Sequence, residues 1–512
     1  MERGTLSLNK EKVFYAKEIA KRISEKVVDE IKDFSTVSIE RGILRLLGIY
    51  GVDSKGVPIV NLFIEKLKKE NLLAKGVLFT ISNGLLNFSS LNVEEFVKGV
   101  ILGEIKLDKI PFNEKEKIEK RSIELIKECF ERIKKRKEER EEFIQKYPPL
   151  EKPYLYVIVA TGNIYEDAKQ AASAAYLGAD YIAIIRSTAQ SLLDYVPYGL
   201  TTEGYGGTYA TQENFRFVRE KLDEVTHNVK RYIKLVNYSS GLCMPEISII
   251  ASLERLDLMV NDALYGILFR NLNPIRTMID QKFSRYILSL SGIPIVTGED
   301  NLIKTVDSFE YYYTVIVSQL INEQLAKLSN MDESLIGLGH AFELDPNLEN
   351  GFLYEIAQAQ LVRELFPNSP IKYMPPTRYK TGNIFLSYAM DTLFNIVSIL
   401  TDQEIVLLGM LTEALHTPFV QDRYLAIENA KYIRNNLKDI SKEFLIKSGG
   451  LIEKRAKTVF DKAVQTLEEI ESLGLFNALE KGYFSNIKRP KFEGRGYDGV
   501  FKKDKDYIEF KI

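Results

Sequence analysis

Apolar residues recurring at steps of three and four open the chain. Between residues 10 and 34, Val13, Ala16, Ile19, Ala20, Ile23, Val27 and Ile31 fall on one stripe, which predicts an amphipathic helix. Residues 36–47 (TVSIERGILRLL) repeat that period and stop at Gly48, a residue suited to a helix C-terminus. Residues 113–146 are densely charged, with Ile118, Ile126, Cys129 and Ile133 among their apolar positions. Such a run reads as a long helix with a solvated face, a docking surface being the alternative. Pro148 and Pro149 end it, because proline has no N–H to donate. Residues 1–150 are therefore expected to form a helical accessory region.

Past the prolines the pattern changes to short apolar runs separated by helical stretches. Eight runs read as strands: 154–160, 181–185, 233–236, 256–260, 293–296, 335–338, 371–374 and 405–408. They are continuous rather than alternating, as expected of strands covered on both faces in a parallel sheet. Between most of them lies enough chain for a crossover helix, for example 166–177, 274–289 and 302–328. The fold class is thus α/β, and a count of eight favours a (β/α)8 TIM-type barrel over residues 151–440 rather than an open doubly wound sheet. Helical periodicity returns over 442–473. Residues 441–512 are expected to be a helical C-terminal extension with a basic, glycine-punctuated tail. That tail reads as a peripheral, partly disordered arm, or alternatively as one that wraps a partner.

Composition narrows the possibilities further. Apolar residues make up 45% and charged residues 27% of the 512, the balance of a soluble globular protein. Lys+Arg 69 against Asp+Glu 71 leaves a formal charge of -2, so no bulk field recruits nucleic acid or anionic membrane. No apolar run is long enough to span a bilayer, and the start lacks a signal-peptide core. Two cysteines, Cys129 and Cys243, cannot build a disulfide framework or a thiolate zinc site, which points to a reducing cytoplasm. The three histidines, His227, His340 and His416, have no metal-ligand spacing.

In a barrel, chemistry gathers past the C-terminal strand ends. Arg186 ends one strand, Ser187 or Thr188 can cap the helix that follows, and Ser191 falls in its first turn. A helix N-terminus with an arginine beside it suits a phosphate; a plain capped helix with a surface arginine is the simpler reading. The loop 201–211 carries Gly204, Gly206 and Gly207 and could approach a ligand by its backbone, but it is no GxGxxG motif. Asp300, in TGED, could keep a heterocyclic nitrogen protonated, or could cap the helix after it. Tyr265 could stack on a flat cofactor or merely pack. His340 and His416 lie at strand exits, whereas His227 ends a helix and reads as structural.

Longer motifs carry a resemblance. Residues 157–216, together with NYSSGLCMPE (237–246), NDALYGILFRNLN (261–273), VTGEDN (296–301), GLGHAFELDP (337–346), KYMPPT (372–377) and LLGMLTEALHTPF (407–419), resemble the alpha subunits of lysine 5,6-aminomutase. The resemblance runs from about residue 10 to about residue 440. It implies an intramolecular aminotransferase, an isomerase of lysine degradation that moves the terminal amino group of D-lysine or L-β-lysine from C6 to C5 by a radical route. It implies pyridoxal 5'-phosphate in the barrel and adenosylcobalamin carried mainly by a partner. That partner would be a smaller beta subunit with a DxHxxG cobalamin domain and the lysine that forms the internal aldimine, in an α2β2 assembly. By motif, Arg186, Ser187, Thr188, Ala189, Gln190 and Ser191 would bind the cofactor phosphate with Ser240. Tyr265 would stack on the pyridine ring, and Arg270 would contact cofactor or substrate. Asp300 would face the ring nitrogen and Lys372 the phenolic oxygen. Tyr265, Asp300 and Lys372 are the residues expected to act in catalysis.

The places two before each histidine hold Val225, Leu338 and Ala414, so DxHxxG is absent and the chain is expected to be incomplete alone. Three rivals remain open on sequence. One is the large component of an ornithine 4,5-aminomutase. A second is a metal-dependent barrel lyase using Glu299, Asp300 and Glu413, and the third is a non-catalytic binding subunit.

Overall fold

A computed structural model describes residues 5–185, 193–204, 207–238, 241–261, 263–303 and 306–511. The N-terminal region begins with α1 (Lys10–Ile31), capped by Asn9, whose side chain accepts from the amides of Glu11 and Lys12. Its predicted stripe is the face buried against the barrel: Ala16, Ile19, Ala20, Ile23, Val27 and Ile31 are covered. After β1 (Phe34–Thr36), Thr36 caps α2 (Val37–Leu46) by accepting from Ile39 N at 3.2 Å. Every residue of α2 is buried. Helices α3 (Ile59–Lys69), α4 (Gly76–Asn87) and α5 (Val93–Leu102) lead to α6 (Lys115–Lys146), the long charged helix. It is tied to the barrel through one buried arginine: Arg140 donates to the carbonyls of Leu256 (2.8 Å), Ser291 (2.6 Å) and Gly292 (2.9 Å).

The barrel then alternates strand and helix. Its elements are β2 (Tyr154–Ile158), α7 (Ile164–Leu177), β3 (Tyr181–Ile185), α8 (Gln212–Val229), β4 (Lys234–Tyr238), α9 (Met244–Leu253) and β5 (Leu258–Asn261). Next come α10 (Ala263–Arg270), α11 (Pro274–Ser291), β6 (Ile295–Thr297), α12 (Glu299–Ile303), α13 (Ser308–Lys327) and β7 (Ile336–Ala341). It closes with α14 (Gly351–Leu365), β8 (Ile371–Met374), α15 (Ile384–Leu400) and β9 (Ile405–Leu407). All neighbours are parallel, and β9 pairs with β2, so the eight strands form the closed barrel expected from their count. The period of two divides each strand. Tyr156, Val236, Tyr238, Val260 and Leu407 turn inward as one cluster, while Leu155, Val157, Leu235, Met259 and Val406 join the core under the helices. Each buried Val or Leu in that layer contributes roughly 1.5–3 kcal/mol.

Two expected elements differ. The helix expected over 302–328 is two helices, α12 and α13, and Asp307 caps the second by accepting from the amides of Phe309 (2.8 Å) and Glu310 (2.9 Å). The helix expected from 442 begins at Leu451: α16 (Val420–Asn436) and the short α17 (Ile440–Glu443) precede α18 (Leu451–Leu473) and α19 (Leu475–Lys481).

The tail is also not a loose arm. Residues 488–511 pack on their own chain, where β10 (Val500–Lys502) pairs antiparallel with β1 and Phe510 stacks on Phe130 at 5.5 Å. A segment short of apolar residues stays down through its polar contacts: Lys75 Nζ binds Asp504 (2.9 Å) and Asp506 (2.6 Å), and Tyr507 donates to Glu40 at 2.7 Å. Among the described residues no helix is long and apolar enough to cross a membrane.

Candidate active site

The site begins with a pair of glycines. On β7, Leu338 and His340 alternate with Gly337 and Gly339. His340 turns away from the barrel axis: Tyr312 of α13 is 3.0 Å from Nδ1, Gln403 is 2.9 Å from Nε2, and the ring stacks on Tyr373 at 4.3 Å. Burial pushes its pKa down to about 3, so it is a neutral structural imidazole. The glycines face the other way. A Cβ at Gly339 would lie 2.5 Å from Asp300 Oδ1 and 2.5 Å from the carbonyl of Thr297, so only glycine leaves room for that carboxylate.

Asp300 reaches this space from α12, while its neighbour Glu299 turns outward. Glu299 accepts from Thr297 Oγ1 (2.5 Å), Ser318 Oγ (3.0 Å) and Asn322 Nδ2 (2.6 Å), which anchors the short helix to α13. Burial raises the pKa of Glu299, and those hydrogen bonds oppose the rise. Asp300 Oδ2 accepts from Lys372 Nζ at 2.7 Å, and both side chains are 0% exposed. Lys372 stands on β8 with Nζ 6.0 Å from the ring centre of Tyr156 and 5.8 Å from that of Tyr238; the two phenols are themselves 3.2 Å apart. Among the described residues Asp300 Oδ1 is buried without a hydrogen-bond partner. An uncompensated carboxylate oxygen is costly in such a place, so this one marks where a donor belongs.

A second pair sits on α10, which packs against α12. Tyr265, partly buried, lies 5.2 Å from Phe269, and the Arg270 guanidinium is 5.5 Å from its ring centre. Arg270 Nε is buried and has no partner among the described residues. The structure thus joins Asp300 to Lys372 and Tyr265 to Arg270. Arg186, Ser187, Thr188, Ala189, Gln190, Ser191 and Ser240 lie outside the described residues. In the loop after β3, Gly204 and Gly207 serve the turn itself, since a Cβ at Gly204 would lie 1.8 Å from the Gly207 carbonyl. Asp300 does not cap α12, because its carboxylate is turned to Lys372.

The metal reading loses its geometry. Glu299 and Asp300 face opposite sides, and Glu413 sits 41% exposed beside Lys380. Among the described residues no three His, Cys, Asp or Glu side chains gather as a metal site would require. His227 bonds to the Tyr147 hydroxyl at 2.6 Å, and His416 is an exposed surface residue. Sequence reasoning missed the inner faces: Tyr156, Tyr238 and the two glycines of β7. The signal was present as alternation, Gly337-Leu-Gly339-His, but its direction was not legible.

A family model described as the D-lysine 5,6-aminomutase TIM-barrel domain of the alpha subunit matches residues 6–511. The chain belongs to that family. Membership extends past the barrel at both ends and includes the C-terminal tail, beyond the stretch whose motifs were legible. The lysine 5,6-aminomutase alpha subunit of Acetoanaerobium sticklandii is 54% identical over 98% of this chain and 96% of its own length. The corresponding subunit of Fusobacterium nucleatum is 50% identical over 99% and 98%. The D-ornithine 4,5-aminomutase subunit beta of Acetoanaerobium sticklandii is 26% identical, over 70% of this chain and 50% of that protein. Lysine 5,6-aminomutase relatives therefore match the chain end to end, and the ornithine relative matches it in part.

Proposed function

We propose that this chain is the barrel subunit of an enzyme that moves the terminal amino group of D-lysine or L-β-lysine from C6 to C5. Pyridoxal 5'-phosphate would be held at the barrel mouth, and adenosylcobalamin would come on a smaller partner subunit. One observation carries the reading: a buried Lys372–Asp300 pair at the mouth, with Asp300 Oδ1 left without a donor among the described residues. A protonated ring nitrogen is such a donor, and an adjacent carboxylate favours its protonated form. Arg270 Nε, buried and without a partner among the described residues, is a donor that suits an anionic, hydrogen-bonding group as well.

The roles follow the chemistry of each side chain. Asp300 would face the ring nitrogen and Lys372 the phenolic oxygen, with Tyr265 stacked on the ring and Arg270 against cofactor or substrate. Arg186 through Ser191 and Ser240 would take the phosphate. When bound, pyridoxal phosphate supplies a π system that delocalises an unpaired electron, and the corrinoid supplies the radical. The protein's share is to bind, orient and exclude water. No histidine cluster is needed for that work, which agrees with three histidines engaged elsewhere. Full-length identities of 54% and 50% to lysine enzymes, against 26% in part to an ornithine enzyme, support lysine as substrate.

The test is Asp300→Asn in the protein assembled with its partner and both cofactors. Pyridoxal phosphate affinity should fall about tenfold and lysine isomerisation about a hundredfold or more, while the protein still assembles. A variant with parental affinity and turnover would refute the placement of Asp300. Ornithine turnover without lysine turnover in the parent protein would overturn the substrate.

A further inference from the structure

Two prolines follow the strand that carries Lys372. Pro375 and Pro376 have no N–H, so the ladder of β8 stops there, and the amides of Thr377 and Arg378 need acceptors elsewhere. One side chain on the neighbouring exit supplies both. Glu343, 1% exposed, lies just past β7, where Phe342 N still donates to the carbonyl of Met374 at 2.9 Å. Its Oε1 accepts from Thr377 N (3.0 Å) and from Thr377 Oγ1 (2.7 Å), and its Oε2 accepts from Arg378 N (3.1 Å). The backbone beside it is fixed as well, because buried Glu355 of α14 accepts from Leu344 N at 2.7 Å.

The same residue reaches the other half of the buried pair. The carbonyl of Glu343 accepts from Ser308 Oγ, in the first residue of α13, at 2.6 Å. Arg378 Nη1 donates to the carbonyl of Val306, just before that helix. These contacts close a circuit from Glu343 through Thr377 and Arg378 to Val306 and Ser308, and back. From α13 the connection continues to α12, because Glu299 accepts from Ser318 (3.0 Å) and Asn322 (2.6 Å) of that helix. Asp300 is the next residue. One arm of the circuit thus holds the chain that leaves Lys372, and the other holds the helix of Asp300. Their contact at 2.7 Å depends on distance and alignment, so it feels a shift of either arm. Two acceptor oxygens are what this place requires. A glutamine would keep one and turn its NH2 toward the Arg378 amide, donor against donor.

We infer that Glu343 is a positioning residue that holds Lys372 and Asp300 at bonding distance and thereby sets affinity for the cofactor. The inference rests on the proposed reading that this pair faces the pyridoxal phosphate ring. Its first test needs no cofactor. In the assembled two-subunit protein, stripped of cofactor, Lys372→Met is melted alone and in combination with Glu343→Gln. The drop in melting temperature caused by Lys372→Met should shrink to about half or less in the Glu343→Gln background, because coupled contacts are not additive. Arg378→Met, which opens the circuit from its exposed side, should shrink it as well. Asn383→Ala is the control: it removes the cap of α15, where the Asn383 side chain accepts from Leu386 N at 3.1 Å, at the far end of the same loop. It should lower the melting temperature and leave the Lys372→Met drop unchanged. A drop that simply adds to that of Glu343→Gln, or one that shrinks equally with Asn383→Ala, would overturn the inference. Titration with pyridoxal phosphate, followed by absorbance, should then show about a tenfold loss of affinity for Glu343→Gln and less than about twofold for Asn383→Ala. Should Glu343→Gln fail to assemble, Arg378→Met decides, because its side chain lies at the surface. Asp300→Asn separates the two levels. If it weakens pyridoxal phosphate binding while Glu343→Gln and Arg378→Met leave it intact, this inference alone fails; if Asp300→Asn binds as the parent does, the reading of the pair fails and the inference with it.

Discussion

Two lysines stand inside one barrel, and their surroundings differ in kind. Lys234, on β4, has aromatic company: Nζ is 4.2 Å from the ring centre of Tyr154, 4.5 Å from that of Tyr181, and donates to the Tyr181 hydroxyl at 2.8 Å. Burial outweighs the pull of Asp257, Glu404 and Asp180, and holds its pKa below the ordinary lysine value. Lys372, on β8, has a carboxylate at 2.7 Å whose second oxygen has no partner among the described residues. The first arrangement is complete without a ligand. The second balances charge and leaves a hydrogen-bond acceptor over, which is how a scaffold differs from a site.

Removing Lys372 should break that contrast most severely. In Lys372→Met the buried Asp300 carboxylate loses the ammonium that lies 2.7 Å from it, a loss of about 3–5 kcal/mol in stability. Thermal melting should show it as a clear drop, and lysine isomerisation should fall at least about a hundredfold. The double variant Lys372→Met/Asp300→Asn should regain much of the melting temperature and none of the turnover. A single variant that melts with the parent would mean that the pair carries little mutual stabilisation.

Lys234→Met sharpens the contrast from the other side. It removes two cation–π contacts and one hydrogen bond but strands no charge, so the expected cost is on the order of 1 kcal/mol, with turnover within about twofold of the parent. The pH dependence has a definite sign. With its pKa depressed on folding, Lys234 binds fewer protons in the folded than in the unfolded chain between the depressed value and the ordinary lysine pKa. Parental stability should therefore gain from this group as pH rises through that alkaline window, and the gain should be absent from the variant. Parallel melting profiles of the two proteins up to pH 10 would rule it out.

Much of this architecture was legible in sequence because strands buried on both faces leave continuous apolar runs, and eight such runs close a barrel. The N-terminal stripe on α1 was legible for the same reason. What escaped depended on direction or on distance along the chain. The Lys372–Asp300 pair spans 72 residues, and no local pattern announces it. The inner and outer faces of β7 have equal claims by alternation, so His340 read as a mouth residue although it points into α13. The tail looked peripheral because its anchoring uses ion pairs and hydrogen bonds, and apolar patterning does not register those. Arg186–Ser191 were singled out by motif, and their placement lies outside the described residues.

The smallest expected effect tests the same boundary between inside and outside at adjacent residues. Glu299 and Asp300 are both buried carboxylates, but Glu299 is satisfied by Thr297, Ser318 and Asn322, with no ligand role proposed. Its pKa is raised by burial, so the folded chain holds its proton to higher pH than the unfolded chain does. Stability is thus lost as pH climbs from the ordinary glutamate range to the raised value, and stays level above it. Glu299→Gln removes that loss while keeping an acceptor for Asn322, so the variant should melt about one to a few degrees above the parent at pH 8 and level with it at pH 4. Its affinity for pyridoxal phosphate should change far less than that of Asp300→Asn. Equal losses of affinity in the two variants would mean that the outward carboxylate reaches the ligand through α12, and that the wall between scaffold and site is thinner than one helical turn.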